Sequence, residues 1–235
     1  MGSFTALLLA TPIFGFTLQA PPAIEASLDV AAQSSMEMRA AIVAAAEAEG
    51  DSAAPANDPQ AEYKSQIKQR NNIASIHRVF GIATWASMTL TVAAGAIAYY
   101  NLYGFGANIG NAPCVTGKTA IDCDGMRTVK NSLAVVTTAL YATTFTLSLL
   151  MPDPDDLSSG KGKFASTLRL HKTLRWVHFG GMVAQVLLGI VLANGLLGLD
   201  RANDYKTLQA IGGVHMGIGL ITWGALTWAG ALMTF

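Results

Sequence analysis

The chain has 235 residues, of which 51% are hydrophobic and 13% charged, and its formal net charge is zero. A soluble domain carries about 25% charged residues, so this composition excludes an ordinary soluble protein and favours an integral membrane protein. The absence of excess positive charge gives no reason to expect a nucleic-acid partner.

The first 22 residues form an apolar N-terminal segment. Residues 4–20 are mostly apolar but are interrupted by Pro12, no lysine or arginine precedes them, and Pro21 and Pro22 follow directly. Three interpretations stay open: a cleaved signal peptide, a short extra span, or an arm that lies on a partner or on the membrane surface.

Residues 23–70 form an acidic, alanine-rich segment and a linker. The composition allows a helix over residues 28–49. Pro55 and Pro59 indicate a linker between Ser52 and Pro59, because proline interrupts a helix. A basic cluster then leads into the first span, and its members are Lys64, Lys68 and Arg70.

Residues 71–235 contain four long apolar segments, and no segment alternates as a membrane β-strand would. The predicted spans are 76–103, 129–151, 173–198 and 208–234, and the second is closed by Met151 and Pro152. The predicted fold is therefore an all-α, integral membrane, antiparallel four-helix bundle with an extended N-terminal segment.

Positive charge sets the expected orientation, since cytoplasmic loops are rich in lysine and arginine. The segment before span one and the loop at 152–172 carry more basic residues than the opposite side. This places the loop with Cys114 and Cys123 outside, where a disulfide would persist. A bacterial inner membrane with a periplasmic cysteine loop is the expected localisation.

All four histidines lie inside the predicted spans or at their ends: His77, His171, His178 and His215. Ionisable side chains at membrane depth are costly and mark functional sites, and imidazole is a usual ligand of haem iron. The sequence therefore predicts a cofactor site held by histidines.

Glycines lie close to three of these histidines, in a weak repeat. Spans one and four share the pattern H-x-x-x-G-x-x-T-W, and span three carries His178-Phe179-Gly180-Gly181. Small residues allow helices to approach closely, and they would equally leave clearance for a porphyrin. Both roles stay open for Gly81, Gly181 and Gly219.

Depth decides which histidines can share one iron. His178 and His215 enter from opposite sides and differ in depth by about 10 Å or more at 1.5 Å per residue. The predicted ligand pair is therefore His77 with His178, and His171 competes for the same role near the membrane surface. Basic residues stand where haem propionates would emerge, or serve only orientation: Arg78, Arg169, Lys172 and Arg175.

His215 has no histidine at its own level. It could ligate a second haem together with a methionine or a partner's residue, or hydrogen-bond a quinone carbonyl. It could equally be a buried histidine satisfied by Tyr141 or Gln185. Methionines such as Met88, Met182 and Met216 more often pack than ligate.

The pattern of helices and histidines over residues 70–235 resembles cytochrome b561 and related membrane b-type cytochromes. The segments that carry the resemblance are I-H-R-V-F-G at His77, L-H-K-T-L-R-W-V-H-F-G-G at His171 and His178, and V-H-M-G-I-G at His215. The resemblance implies a helical bundle that binds haem b through histidines and passes electrons across or into the membrane. Two-haem members have histidines paired at two depths, whereas this chain has one obvious pair.

The expected function is a haem b subunit that carries electrons between a quinone or a partner redox protein and a larger complex. It would be an electron-transfer subunit rather than a stand-alone enzyme, because no nucleophile–base set is present. One alternative is a non-haem accessory subunit of a respiratory or photosynthetic membrane complex. Another is a pigment-binding subunit with histidines on chlorophyll magnesium. A carboxylate ion relay is not expected, since no Asp or Glu lies within the predicted spans.

Overall fold

The computed structural model describes residues 58–119, 121–194 and 197–234, and within them all regular structure is helical. Four long helices carry the fold: α1 (Pro59–Tyr103), α3 (Cys123–Leu150), α4 (Lys163–Asn194) and α5 (Tyr205–Thr234). A short helix α2 (Pro113–Thr116), preceded by one 3₁₀ turn at Ile109–Asn111, lies between α1 and α3. The interpretations of residues 1–22 and of a helix over 28–49 fall outside the described residues.

Each of the four long helices is apolar and long enough to cross a membrane. Large apolar side chains point outward along them, among them Val79, Ile82, Leu150 and Ile221, each more than 60% exposed. Such a continuous apolar exterior is unfavourable in water and expected in lipid. The described helices are thus compatible with an integral membrane protein.

Helix α1 begins earlier than the sequence indicated. Asp58 caps it by accepting the Gln60 N–H at 2.9 Å, and Pro59 occupies the first turn. Proline is tolerated there because the first N–H groups of a helix have no partner within it. The helix therefore begins at the residue where the predicted linker ends, and it runs through the basic cluster into the predicted first span. The 45 residues of α1 span about 67 Å, more than twice a bilayer core of about 30 Å.

The other helix ends follow local signals. Helix α1 stops at Gly104, whose positive φ of 53° places it in the left-handed region that favours glycine. Helix α3 is capped by Asp122 and ends at Leu150, directly before Met151 and Pro152, as predicted.

Two ends of this helix assembly can be named by their loops. At the acidic-loop end, residues 151–162 contact the start of α1 through Arg70–Asp153 at 2.7 Å and Tyr63–Asp155 at 2.9 Å. At the opposite, disulfide end, Cys114 and Cys123 form the predicted disulfide, with 6.0 Å between their Cα atoms. The two basic segments before spans one and three therefore share one end, while the cysteines lie at the other.

Contacts between helices fix their register. Helix α5 contacts α1 from Trp85–Thr227 at 3.0 Å to Tyr99–Gln209 at 3.2 Å, so numbers fall along α5 as they rise along α1. Helix α1 also packs along α3, and α4 packs along α5. In the middle, Met88, Tyr141 and Met182 form one buried cluster that joins α1, α3 and α4.

Candidate functional site

Three histidines gather toward the acidic-loop end. His77, His171 and His178 lie close enough to interact electrostatically with one another and with Arg175. His215 is not among them, because its ring lies against Gly189, a position eleven residues beyond His178 along α4. That is about 16 Å along the helix axis, in agreement with the expected difference in depth.

His77 and His171 are each tied to the backbone of a neighbouring helix. His77 Nδ1 lies 3.0 Å from the Thr144 carbonyl oxygen on α3, and His171 Nδ1 lies 2.9 Å from the Ala229 carbonyl oxygen on α5. A carbonyl only accepts, so Nδ1 must carry the hydrogen and Nε2 keeps its lone pair. Among the described residues, no hydrogen bond reaches either Nε2. A metal-ligating histidine is typically held in this way, with its other ring N–H donated to a carbonyl or carboxylate.

A polar contact also joins the helices that carry His77 and its acceptor. Thr84 and Thr144 hydrogen-bond across α1 and α3 at 2.9 Å, with Thr84 about two helical turns from His77. Each hydroxyl in this layer is satisfied, as Thr144 also donates to the Leu140 carbonyl at 2.9 Å. The polar contact between the helices holds the His77 ring in one orientation.

His178 is held differently. Its Nδ1 lies 2.7 Å from the Tyr141 hydroxyl, and the side chain is 7% exposed. The Tyr141 ring meets the imidazole edge-on at a centroid distance of 5.6 Å, next to the stacked pair Phe145 and Phe179. A buried histidine satisfied by a tyrosine and enclosed by aromatic rings is explained by packing alone.

The register of α1 against α4 decides whether His171 or His178 lies level with His77. Met88 and Met182 belong to one cluster, and eleven residues before each of them lie His77 and His171. Helices α1 and α4 both run from the acidic-loop end toward the disulfide end, so these two histidines share one level. His178 lies seven residues further along, about 10 Å deeper.

His171 is therefore nearer in level to His77 than His178 is. The sequence analysis instead paired His77 with His178, because it measured depth from the apolar limits of the spans.

Arg175 is the basic residue best placed beside the histidines. Its Nη1 donates to the Ser148 carbonyl at 3.3 Å and its guanidinium lies 5.2 Å from the Trp176 ring centroid. Its Nε is buried and has no hydrogen-bond partner in the described part of the chain. A donor left without an acceptor in an apolar setting is costly, so this N–H is open to an acceptor from a bound group.

The other basic candidates are used elsewhere or lie outside. Arg169 donates to the carbonyls of Ser158 and Gly160 at 2.7 and 2.9 Å, and Lys172 pairs with Asp153 at 3.1 Å. Arg78 is exposed. Arg169 and Lys172 therefore organise the acidic loop, which the sequence had left open.

Asp153 is the centre of that loop. Its carboxylate accepts hydrogen bonds from the side chains of Arg70 and Lys172, and it also accepts one from the Leu157 backbone N–H at 3.2 Å. Burial opposes its ionisation, but the hydrogen bonds from Lys172, Leu157 and Arg70 outweigh this and hold the pKa of the carboxyl below its ordinary value.

The glycines serve helix packing where the structure shows their surroundings. A methyl group at Gly181 would overlap the Thr222 hydroxyl of α5, and one at Gly219 would press on the Gln185 amide at 3.3 Å. At Gly81 a methyl group would come 4.0 Å from Thr144. Close approach of helices accounts for Gly181 and Gly219, so neither provides the clearance for a porphyrin that the sequence left open.

His215 lies toward the disulfide end. Its buried Nδ1 has no hydrogen-bond partner among the described residues. Neither residue proposed to satisfy it does so, because Tyr141 bonds His178 and the Gln185 amide donates to the His215 backbone carbonyl at 2.6 Å. The ring borders a cavity of about 650 Å³, which Lys130 also lines. The sequence analysis missed Lys130 because a lysine eight residues into a helix is typical of a membrane surface.

No set of three or more His, Cys, Asp or Glu side chains within residues 58–119, 121–194 and 197–234 could hold a metal ion alone. A haem needs only two axial protein ligands, since the porphyrin supplies the other four nitrogens. Comparisons with protein-family models, curated proteins and solved structures found no match to this chain.

Proposed function

We propose that this protein is a membrane b-type cytochrome subunit, built as an antiparallel four-helix bundle, that carries electrons through one haem b near the acidic-loop end. The observation that carries the proposal is the state of His77 and His171: both donate from Nδ1 to a backbone carbonyl, both keep Nε2 free, and both lie at one level. His77 and His171 would be the axial ligands.

The remaining residues fit the same group. Arg175, with its unpaired Nε, would receive a propionate carboxylate. Haem b, when bound, supplies an iron that gains and loses one electron. The protein's part is to fix the ring orientations through the Thr144 and Ala229 carbonyls and to keep the site dry within apolar helices.

The electron partners would be a quinone in the bilayer or a redox protein within a larger membrane complex. The acidic-loop end would face the cytoplasm of a bacterial cell, since it carries most of the basic residues, and the disulfide would face the periplasm.

A pyridine-haemochrome assay on the purified full chain tests the proposal. We expect one haem b per chain and a reduced-minus-oxidised spectrum with Soret and α bands. His77→Ala and His171→Ala should each lose the haem, whereas His178→Phe, the matched control on the same helix, should keep it. A wild-type protein without haem would contradict the proposal and favour the accessory-subunit alternative.

A further inference from the structure

A second site lies in the cavity at the disulfide end. Its volume of about 650 Å³ falls within the roughly 300–1,000 Å³ typical of small-molecule sites. Residues of all four long helices line it, from the Cys114–Cys123 disulfide at one end to Met88 and Met182 at the other. The Met88–Tyr141–Met182 cluster separates it from His178, so it is distinct from the proposed haem site.

The lining is mostly apolar but carries positive charge on one side. Arg127, Lys130 and Arg201 contribute to it, and no aspartate or glutamate does so among the described lining residues. An apolar cavity with only basic charges is complementary to an apolar molecule that bears an anion.

Two donors in this cavity lack acceptors. Arg127 already pairs with Asp124 at 3.0 Å, at an exposed position. Lys130 lines the cavity without an ion pair or hydrogen bond from its ammonium group to any described residue, and the Nδ1 of His215 is buried and unpaired. Because both residues line the same cavity, one carboxylate bound there could accept from both.

We propose that this cavity binds an amphipathic organic anion, an apolar chain with a terminal carboxylate such as a long-chain fatty acid. Lys130 and His215 hold the carboxylate, and the apolar chain fills the space toward Met88 and Met182. A half-buried lysine beside an apolar cavity is unfavourable without a counter-ion, and a bound carboxylate supplies that counter-ion. This site goes beyond the proposed electron carrier and does not depend on it.

The test uses the full chain in phosphatidylcholine nanodiscs and a photoactivatable, diazirine-bearing palmitate, with adducts located by peptide mass spectrometry. We expect adducts on the cavity side of α3, competed by oleate but not by methyl oleate, which has no charge. Lys130→Gln should lower this labelling about tenfold, as expected for the loss of a charge-assisted hydrogen bond. Lys118→Gln, an exposed lysine of the same end outside the cavity, should not.

A filled cavity provides a second variant. Ala134 lines the cavity, and Ala134→Phe should abolish the adducts while leaving the yield of haem unchanged. Equal labelling of Lys130→Gln and the wild type, or equal competition by methyl oleate, would contradict the proposal and make Lys130 a lysine that only extends to the membrane surface. Competition by protoporphyrin IX but not by oleate would overturn the fatty-acid assignment in favour of a tetrapyrrole.

Discussion

The histidines at the acidic-loop end and at the disulfide end differ in how their ring nitrogens are hydrogen-bonded. Toward the acidic loop, His77 and His171 are held through Nδ1 by backbone carbonyls, with Nε2 left free. Toward the disulfide, the Nδ1 of His215 is buried without a partner beside a cavity. A ring that is oriented by the protein is prepared to ligate a metal, whereas an unsatisfied donor indicates a ligand that brings its own acceptor.

The charged residues repeat this contrast. At the acidic-loop end Asp153 forms ion pairs with both Arg70 and Lys172. At the disulfide end Lys130 faces a cavity whose described lining contains no acidic residue. The loop charges of the first end are therefore paired within the protein, whereas our proposal pairs the lysine of the second end with a bound anion.

Removing the Cys114–Cys123 disulfide should disturb only the disulfide end. Of the predicted changes, this one should lower the stability most. The bond closes a loop with a sequence separation of 9, and the chain-entropy model gives about 2–3 kcal/mol for such a loop. Cys114→Ser with Cys123→Ser should lower the unfolding free energy by that amount and reduce fatty-acid labelling, because both cysteines line the cavity. Thermal unfolding in detergent measures the first effect. Loss of haem in this variant would show that the two ends are not separable.

A methyl group added at Gly181, which lies between the two ends, should affect both ends of the molecule. Gly181→Ala forces a carbon into the Thr222 hydroxyl, and overpacking of this kind costs about 1–3 kcal/mol. Gly180→Ala is the matched control, because nothing lies within 4 Å of a methyl group there. We expect a lower melting temperature for the first variant and an unchanged or higher one for the second. Equal melting temperatures would contradict the close approach of α4 and α5.

The acidic loop should respond to pH through Asp153. Its pKa is lowered in the folded protein, so its contribution is present above the unfolded value of about 3.9 and is lost as pH falls through the folded value. Asp153→Asn should cost about 1–2 kcal/mol at pH 7, and the difference from the wild type should shrink as pH falls below about 3.9 and vanish below the folded pKa. Asp124→Asn, which removes an exposed pair, should change stability by less than about 1 kcal/mol. A difference for Asp153→Asn that persists unchanged at low pH would mean that its charge is not the cause.

Much of the fold was predictable from local signals. The four apolar segments, the end of α3 before Pro152 and the Cys114–Cys123 disulfide all follow from composition, proline chemistry and spacing. The start of α1 was not, since the same proline that interrupts a helix also favours its first turn. Asp58 directly before Pro59 was the available signal.

The candidate site was predictable only in its residue types. The histidines were found by their rarity in apolar segments, but the acceptors of His77 and His171 are main-chain oxygens of Thr144 and Ala229, which no side-chain pattern reveals. Tyr141 was considered for His215 and bonds His178 instead. The register between helices decides which groups hydrogen-bond to each other. That register depends on packing contacts between residues that are far apart in the sequence.

Rescue by free imidazole is the most direct test of the proposed haem ligands. The full chain carrying His77→Gly or His171→Gly should lose its haem spectrum and regain it when imidazole is added, because imidazole can occupy the space that the missing ring leaves beside the iron. His178→Gly should keep its haem without imidazole. Haem that survives in His171→Gly, or that is lost from His178→Gly and restored by imidazole, would contradict the pairing of His77 with His171.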